Sequence, residues 1–287
     1  MSEKPDIKGT LIPIGGGEDK GEHESTRHVY LQRGVLRHVL DESGGAKARI
    51  VVVTSASQIP EEVGQNYLDA FALLGCTQVV VHNITSKQMA EDHGVINDFA
   101  HATGVMFSGG NQARIPRFMR KTRLHKLLEE RYTGEQFTIA GTSAGAMAMS
   151  RQMISGGSST EALLKGAVHM RKGMGFIPGL IIDTHFVRRG RFGRLAEAVA
   201  TYPKKLGIGL AEDTGVIIRG GKEFTVIGSG MVIVMDPANL THNSHSQLDE
   251  GQPMSLVNLT THVLANGDRF TLDRKTVEVL PMKAEFV

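Results

Sequence analysis

A serine with glycine two positions away on either side, Gly141-Thr142-Ser143-Ala144-Gly145, is the stretch of this chain best suited to chemistry. It follows the short apolar run 137–140 and opens into Ala146-Met147-Ala148-Met149, which reads as the start of a helix. A strand-to-helix turn this tight admits only small residues at the glycine positions. It also lifts the serine hydroxyl to the tip, with the next backbone N–H aimed at any negative charge forming there. Such a hydroxyl needs a base, and the base needs an orienting partner. His185 ends the apolar run 180–186 downstream of the serine, and an imidazole with a pKa of about 6.5 can take its proton near neutrality. Most of the other histidines fall in helical or loop contexts and read as surface or core residues. Three acids stand at strand ends: Asp183, Glu212 and Asp213. Asp183 shares a strand face with His185, two residues on, and Glu212 could approach the ring from another strand. Order along the chain does not choose between them.

Acyl transfer also needs two N–H donors about 3 Å from the tetrahedral oxygen. Ala144 supplies one by the logic of the elbow. Gly109 or Gly110 is the natural second, because a residue without Cβ lets its backbone approach closely; Gly110 is the one adopted. Gly15-Gly16-Gly17 lacks the third glycine of a dinucleotide fingerprint, since Lys20 stands in its place, and no Walker A pattern occurs. That loop reads as a tight turn at the edge of a site. No His-Glu-x-x-His is present, Glu22-His23-Glu24 near His28 reads as a solvated helix start, and no metal or cofactor is expected. Arg188, Arg189, Arg191 and Arg194 follow His185 closely. The run reads as a solvated helix face or, beside a base, as a holder of carboxylates, to which arginine binds through its two-pronged fork.

The elements that must position these residues alternate. Apolar runs at 10–14, 49–55, 78–82 and 103–107 are separated by helical patterns over 26–41, 60–74, 86–92 and 114–131, and the elbow strand follows. Such alternation predicts an α/β fold, a mostly parallel central sheet flanked by helices, with ligands outside the carboxyl ends of the strands. Residues 155–160 and 173–178 read as loops, 195–200 as a helix and 207–214 as a strand end. From Val216 onward, strands separated by glycine turns predict an antiparallel, strand-rich C-terminal extension of the same domain, residues 1–287 forming one unit. Composition agrees: 40% hydrophobic and 22% charged residues in 287 suit a globular chain. With a net charge of +2 and no basic block, no nucleic-acid surface is expected. Cys76 is the single cysteine, which excludes an intrachain disulfide and a cysteine zinc site; its junction position suits a small buried thiol. The polar N-terminal stretch carries no apolar targeting segment, and no run reaches membrane-spanning length, so a cytoplasmic protein with no membrane partner is expected.

The elbow 141–146, Gly109-Gly110-Asn111-Gln112, Asp183-Thr184-His185-Phe186 with its arginines, and Gly207-Ile208-Gly209 leading to Glu212-Asp213-Thr214 together resemble the cyanophycinase family. These are serine peptidases grouped with dipeptidase E, similar in fold to class I glutamine amidotransferases, and the likeness runs from about residue 11 to 236. The resemblance implies a cytoplasmic, dimeric exopeptidase that cuts cyanophycin, a poly-aspartate with arginine on each β-carboxyl, to β-Asp-Arg dipeptides. It implies Ser143 as nucleophile, His185 as base and Glu212 as acid, with Gln112, Asp183, Thr184, Arg189, Arg191 and Arg194 lining the substrate pocket. Asp183 would meet a substrate guanidinium and the arginines its carboxylates. Thr184 stands where the family pattern has glutamine, which removes a possible substrate hydrogen bond. The alternatives are a dipeptidase E-like enzyme acting on short Asp-containing peptides, or a non-catalytic binding protein of the same fold.

Overall fold

The computed structural model describes residues 7–25, 27–157, 161–281, 284, 285 and 287. Four short apolar, β-branched or small-residue runs, β1 (Thr10–Ile14), β2 (Ile50–Val53), β3 (Val79–His82) and β4 (Gly104–Phe107), lie parallel with β5 (Thr138–Thr142) in the order β1-β5-β4-β2-β3. Every residue of β2, β4 and β5 is buried, as continuous apolar runs covered on both faces must be. One face carries Ile12, Ile14, Ile50, Val52 and Met106 against α1 (Arg27–Arg33), α2 (Val35–Glu42) and α3 (Pro60–Leu73). The other carries Leu11, Val51, Val53, Phe107 and Ile139 into the larger core, where α4 (His93–His101), α5 (Arg114–Met119) and α6 (Arg123–Gly134) pack.

The elbow helix α7 (Ala144–Ala148) leads into the hairpin β6 (Gln152–Gly157) and β7 (Val168–Lys172). Then come β8 (Leu180–Asp183), α8 (Phe192–Thr201), β9 (Leu206–Leu210), β10 (Thr214–Arg219), β11 (Glu223–Gly228) and β12 (Val232–Asp236). The chain ends with the short β13 (His242–Asn243) and β14 (Leu256–Val257), then β15 (Thr260–Leu264), β16 (Arg269–Thr271) and β17 (Thr276–Glu278). The strand-rich C-terminal part does not form one block. β10, β11, β16 and β17 extend the central sheet antiparallel beyond β1, whereas β8, β9, β12 and β15 form a separate four-stranded sheet.

Several expected boundaries shift, each for a local reason. The helix read over 26–41 is broken at Gly34, whose ψ of 149° is extended; Thr26 lies outside the described residues. The pattern over 114–131 divides into α5 and α6 around Lys121, which takes a left-handed φ of 65°, and α6 restarts on the Thr122 hydroxyl, which accepts the His125 amide. In place of a helix over 86–92 there is one 3₁₀ turn, Met89–Glu91, and α4 begins where Asp92 caps the amides of Gly94 and Val95. Residues 155–157, expected as loop, complete β6 because β7 supplies a partner; residues 158–160 lie outside the described residues. Cys76 is buried, with its thiol on the Ala48 carbonyl, and burial pushes its pKa up.

Candidate active site

β5 delivers Thr142 to the carboxyl edge of the central sheet, and the chain turns sharply into α7 through Ser143, whose φ of 50° and ψ of −108° are strained for a residue with a side chain. The turn is held from both sides. The Ser143 amide donates to the Ile14 carbonyl of β1 at 2.9 Å. A Cβ on Gly145 would lie 2.4 Å from the Phe107 carbonyl oxygen of β4, so glycine is required there. His185, also at a positive φ of 48°, is anchored by its amide on the Gly15 carbonyl at 2.8 Å. Its imidazole lies so close to Gly16 that a Cβ there would come within 2.5 Å of Nε2.

Nε2 of His185 is 2.9 Å from Ser143 Oγ, and Nδ1 is 2.7 Å from Glu212 Oε1. A carboxylate only accepts, so Nδ1 carries the proton and Nε2 is left to receive the serine O–H. Arg188, largely exposed, donates to the second Glu212 oxygen at 2.7 Å. Hydrogen bonds from His185 and Arg188 hold the Glu212 carboxyl below its ordinary pKa. Burial pushes the His185 pKa down; Glu212 opposes this, and the Arg189 and Arg191 cations reinforce it. The lowered pKa favours the neutral ring, the form able to accept a proton. The three residues converge from two sheets: Ser143 follows β5, while His185 and Glu212 follow β8 and β9 of the smaller one. The single central sheet expected from the alternation of elements therefore supplies only the serine. Backbone bonds tie the loop after β1 to both segments that follow the smaller sheet's strands, His185 N–H to the Gly15 carbonyl and Asp213 N–H to the Gly16 carbonyl.

The serine and the histidine open onto a cleft of about 520 Å³ whose walls include Gly16, Lys20, Ile59, Gly109, Gly110 and Arg189. Set into its wall is a carboxylate the sequence reading passed over. Glu18 is almost fully buried and accepts from the Thr142 hydroxyl at 2.6 Å, the Tyr67 hydroxyl at 2.6 Å and Lys20 Nζ at 3.0 Å. Burial works to raise its pKa, but Lys20 and the two hydroxyls outweigh burial and hold it below the ordinary value. The same bonds, with burial, push the Tyr67 hydroxyl pKa well up. Glu18 thus grips the residue before Ser143. Its one sequence signal is its place directly after Gly15-Gly16-Gly17.

Of the remaining expected residues, Arg189 reaches the cleft and the others do not line it. Asp183 is fully buried; Arg194 grips it through both forks, Nε at 2.8 Å, and Arg191 adds a bond at 3.3 Å. The expectation that Asp183 meets a substrate guanidinium is therefore corrected: protein guanidiniums occupy it. Arg194 is likewise buried, so it is not a carboxylate receptor. Thr184 is fully buried with no hydrogen-bond partner for its hydroxyl among the described residues, and it lines no substrate surface. Gln112 is half-buried and donates to the Ile154 carbonyl at 3.1 Å. Asp213 accepts from the Asp19 amide and the Ser229 hydroxyl and shapes the turn after Glu212. A larger depression of about 580 Å³ opens near Tyr132, Leu180 and Leu206, at the opposite ends of the strands, and touches none of these groups. No cluster of metal-binding side chains occurs among the described residues, and no described helix is long and apolar enough to cross a membrane.

Residues 11–226 match the model of peptidase family S51. Over 94% of the chain, the sequence is 36% identical to the cyanophycinase of Trichormus variabilis, spanning 88% of that protein. It is 32% identical to the cyanophycinase of Geminocystis herdmanii over 94% of this chain and 95% of that one. The crystal structure of a peptidase from an acI-B1 actinobacterium superposes with a TM-score of 0.62 at 18% identity, covering 91% of this chain and 98% of that one, a likeness of fold.

Proposed function

The chain belongs to peptidase family S51 and is a serine-type peptidase, and on that premise we propose that it hydrolyses cyanophycin, multi-L-arginyl-poly-L-aspartate, to β-Asp-Arg dipeptides. The observation that carries the reading is the Ser143–His185–Glu212 relay, linked at 2.9 and 2.7 Å and opening onto the cleft. Ser143 Oγ attacks the scissile carbonyl while His185 Nε2 takes its proton, and Glu212 holds the ring and stabilises the imidazolium. The oxyanion is received by the amides of Ala144 and Gly110, and losing one such donor typically costs about 10²–10³ in rate. The imidazolium then protonates the leaving amine. Water, activated by the same ring, hydrolyses the Ser143 ester.

Within this reading Arg189 takes a substrate carboxylate directly. Gln112 and Arg191 shape the neighbouring wall, and Asp183 and Arg194 act behind it as a fixed ion pair. A cytoplasmic location and a homodimer belong to the same proposal and rest on the family resemblance. The burial of Asp183 under Arg194 favours a second reading, a dipeptidase E-like enzyme acting on short Asp-containing peptides, because it removes the carboxylate expected to meet a substrate guanidinium.

Incubation with insoluble cyanophycin and with short β-Asp-Arg peptides separates the two. Release of dipeptide from the polymer is expected from the native chain, with a fall of about 10⁴-fold or more in Ser143→Ala. Equal release by both proteins would overturn the nucleophile. Activity confined to short peptides would move the substrate to the second reading.

A further inference from the structure

Away from the cleft, six cationic side chains face one shallow groove of about 390 Å³: Lys87, Arg117, Arg120, Lys121, Arg171 and Lys172. They come from three separate parts of the chain: the turn before Met89–Glu91, the end of α5 with the two residues after it, and the end of β7. No run in the sequence announces them. Among the described residues no carboxylate lines the groove and none of the six is ion-paired. The whole chain carries 32 Lys and Arg against 30 Asp and Glu, so setting these six aside leaves the rest of the molecule net acidic. Positive charge is concentrated here against that trend, and a patch of one sign raises the local concentration of anions.

We infer that this groove is a binding site for a compact, multiply charged anion of the oligophosphate class. Three of the six are arginines, whose planar forks match phosphate oxygens in pairs, and the lysines add point charges around them. The proposed peptidase substrate is a poor occupant, because each of its units brings a guanidinium along with its carboxylate and six cations would repel it. The site is therefore separate from the peptidase reaction.

The test is calorimetric titration of the whole chain with inorganic tripolyphosphate and with ATP at low salt. Saturable binding of one anion per chain is expected, weakening steeply with added salt. An Arg120→Gln, Arg171→Gln double variant should lose about tenfold or more in affinity, with melting temperature and peptidase activity unchanged. If that variant fails to fold, the exposed pair Lys87→Gln, Lys172→Gln carries the same test. Lys204→Gln, Lys205→Gln, at the far depression, should bind as the native chain does. Tighter binding of ATP assigns the site to a nucleotide, and equal or weaker binding assigns it to the phosphate chain itself. Absence of saturable binding, or binding that survives loss of the groove arginines, overturns the proposal. So does capture of duplex DNA without capture of tripolyphosphate, which would make the groove part of a nucleic-acid surface.

Discussion

At the residue scale the proposed base is tuned by charges on opposite sides. Glu212 favours the imidazolium, while burial and the cations of Arg189 and Arg191 disfavour it. Removing a neighbouring positive charge raises the imidazole pKa. Arg189→Ala should therefore move the acid limb of the pH profile of kcat/KM to higher pH, and raise KM if Arg189 holds a substrate carboxylate. A profile that stays in place would show that Arg189 does not act on His185. Glu212→Gln should act in the opposite direction on the limb and lower kcat by about 10²–10⁴, because the ring loses both its tautomer and its partner. Arg188→Ala frees one Glu212 oxygen at an exposed position and should change kcat far less than Glu212→Gln does.

At the element scale the elbow depends on contact between backbones. Gly145→Ala would drive a methyl group into the Phe107 carbonyl of β4, and neither strand nor helix can yield without moving Ser143. A loss of about 1–3 kcal/mol in stability is expected from the overpacking. A displacement of about 1 Å at the serine would cost of order 10²-fold in kcat. Denaturant unfolding and steady-state kinetics on one preparation would check both, and full activity in the variant would mean that the turn has slack. The five-residue spacing of the elbow was legible because this steric demand is local. The breaks at Gly34 and Lys121 were not, because apolar periodicity continues through a change of direction.

At the scale of the whole molecule two buried charge clusters fasten the sheets to the site. Asp183 at the end of β8 is held by Arg194 and Arg191, so Asp183→Ala leaves two guanidiniums uncompensated, an effect of about 3–5 kcal/mol measurable in chemical unfolding. A variant as stable as the native chain would refute that role. Glu18 ties β1 to α3 and to the elbow, and its folded pKa lies below the unfolded one. Its contribution is complete above the ordinary glutamate value of about 4.3 and is lost as pH falls through the folded value. Glu18→Gln should thus lower the melting temperature at pH 7 and reduce its further fall between pH 5 and 3.

The sequence by itself determined the α/β class, the serine elbow and the proposal of His185 as base, because each is written in neighbouring residues: apolar runs, a glycine at a fixed offset, a polar residue ending a strand. Only the tertiary structure shows which of the three acids lies beside the imidazole. It put Glu212 against His185, sent Asp183 into the core with the protein's own arginines, and set Glu18 beneath Thr142 across 124 residues. It also split the elements carrying the relay between two sheets and gathered six scattered cations into one groove. Distance, burial and the identity of a charge's partner are properties of the folded surface, and spacing along the chain does not encode them.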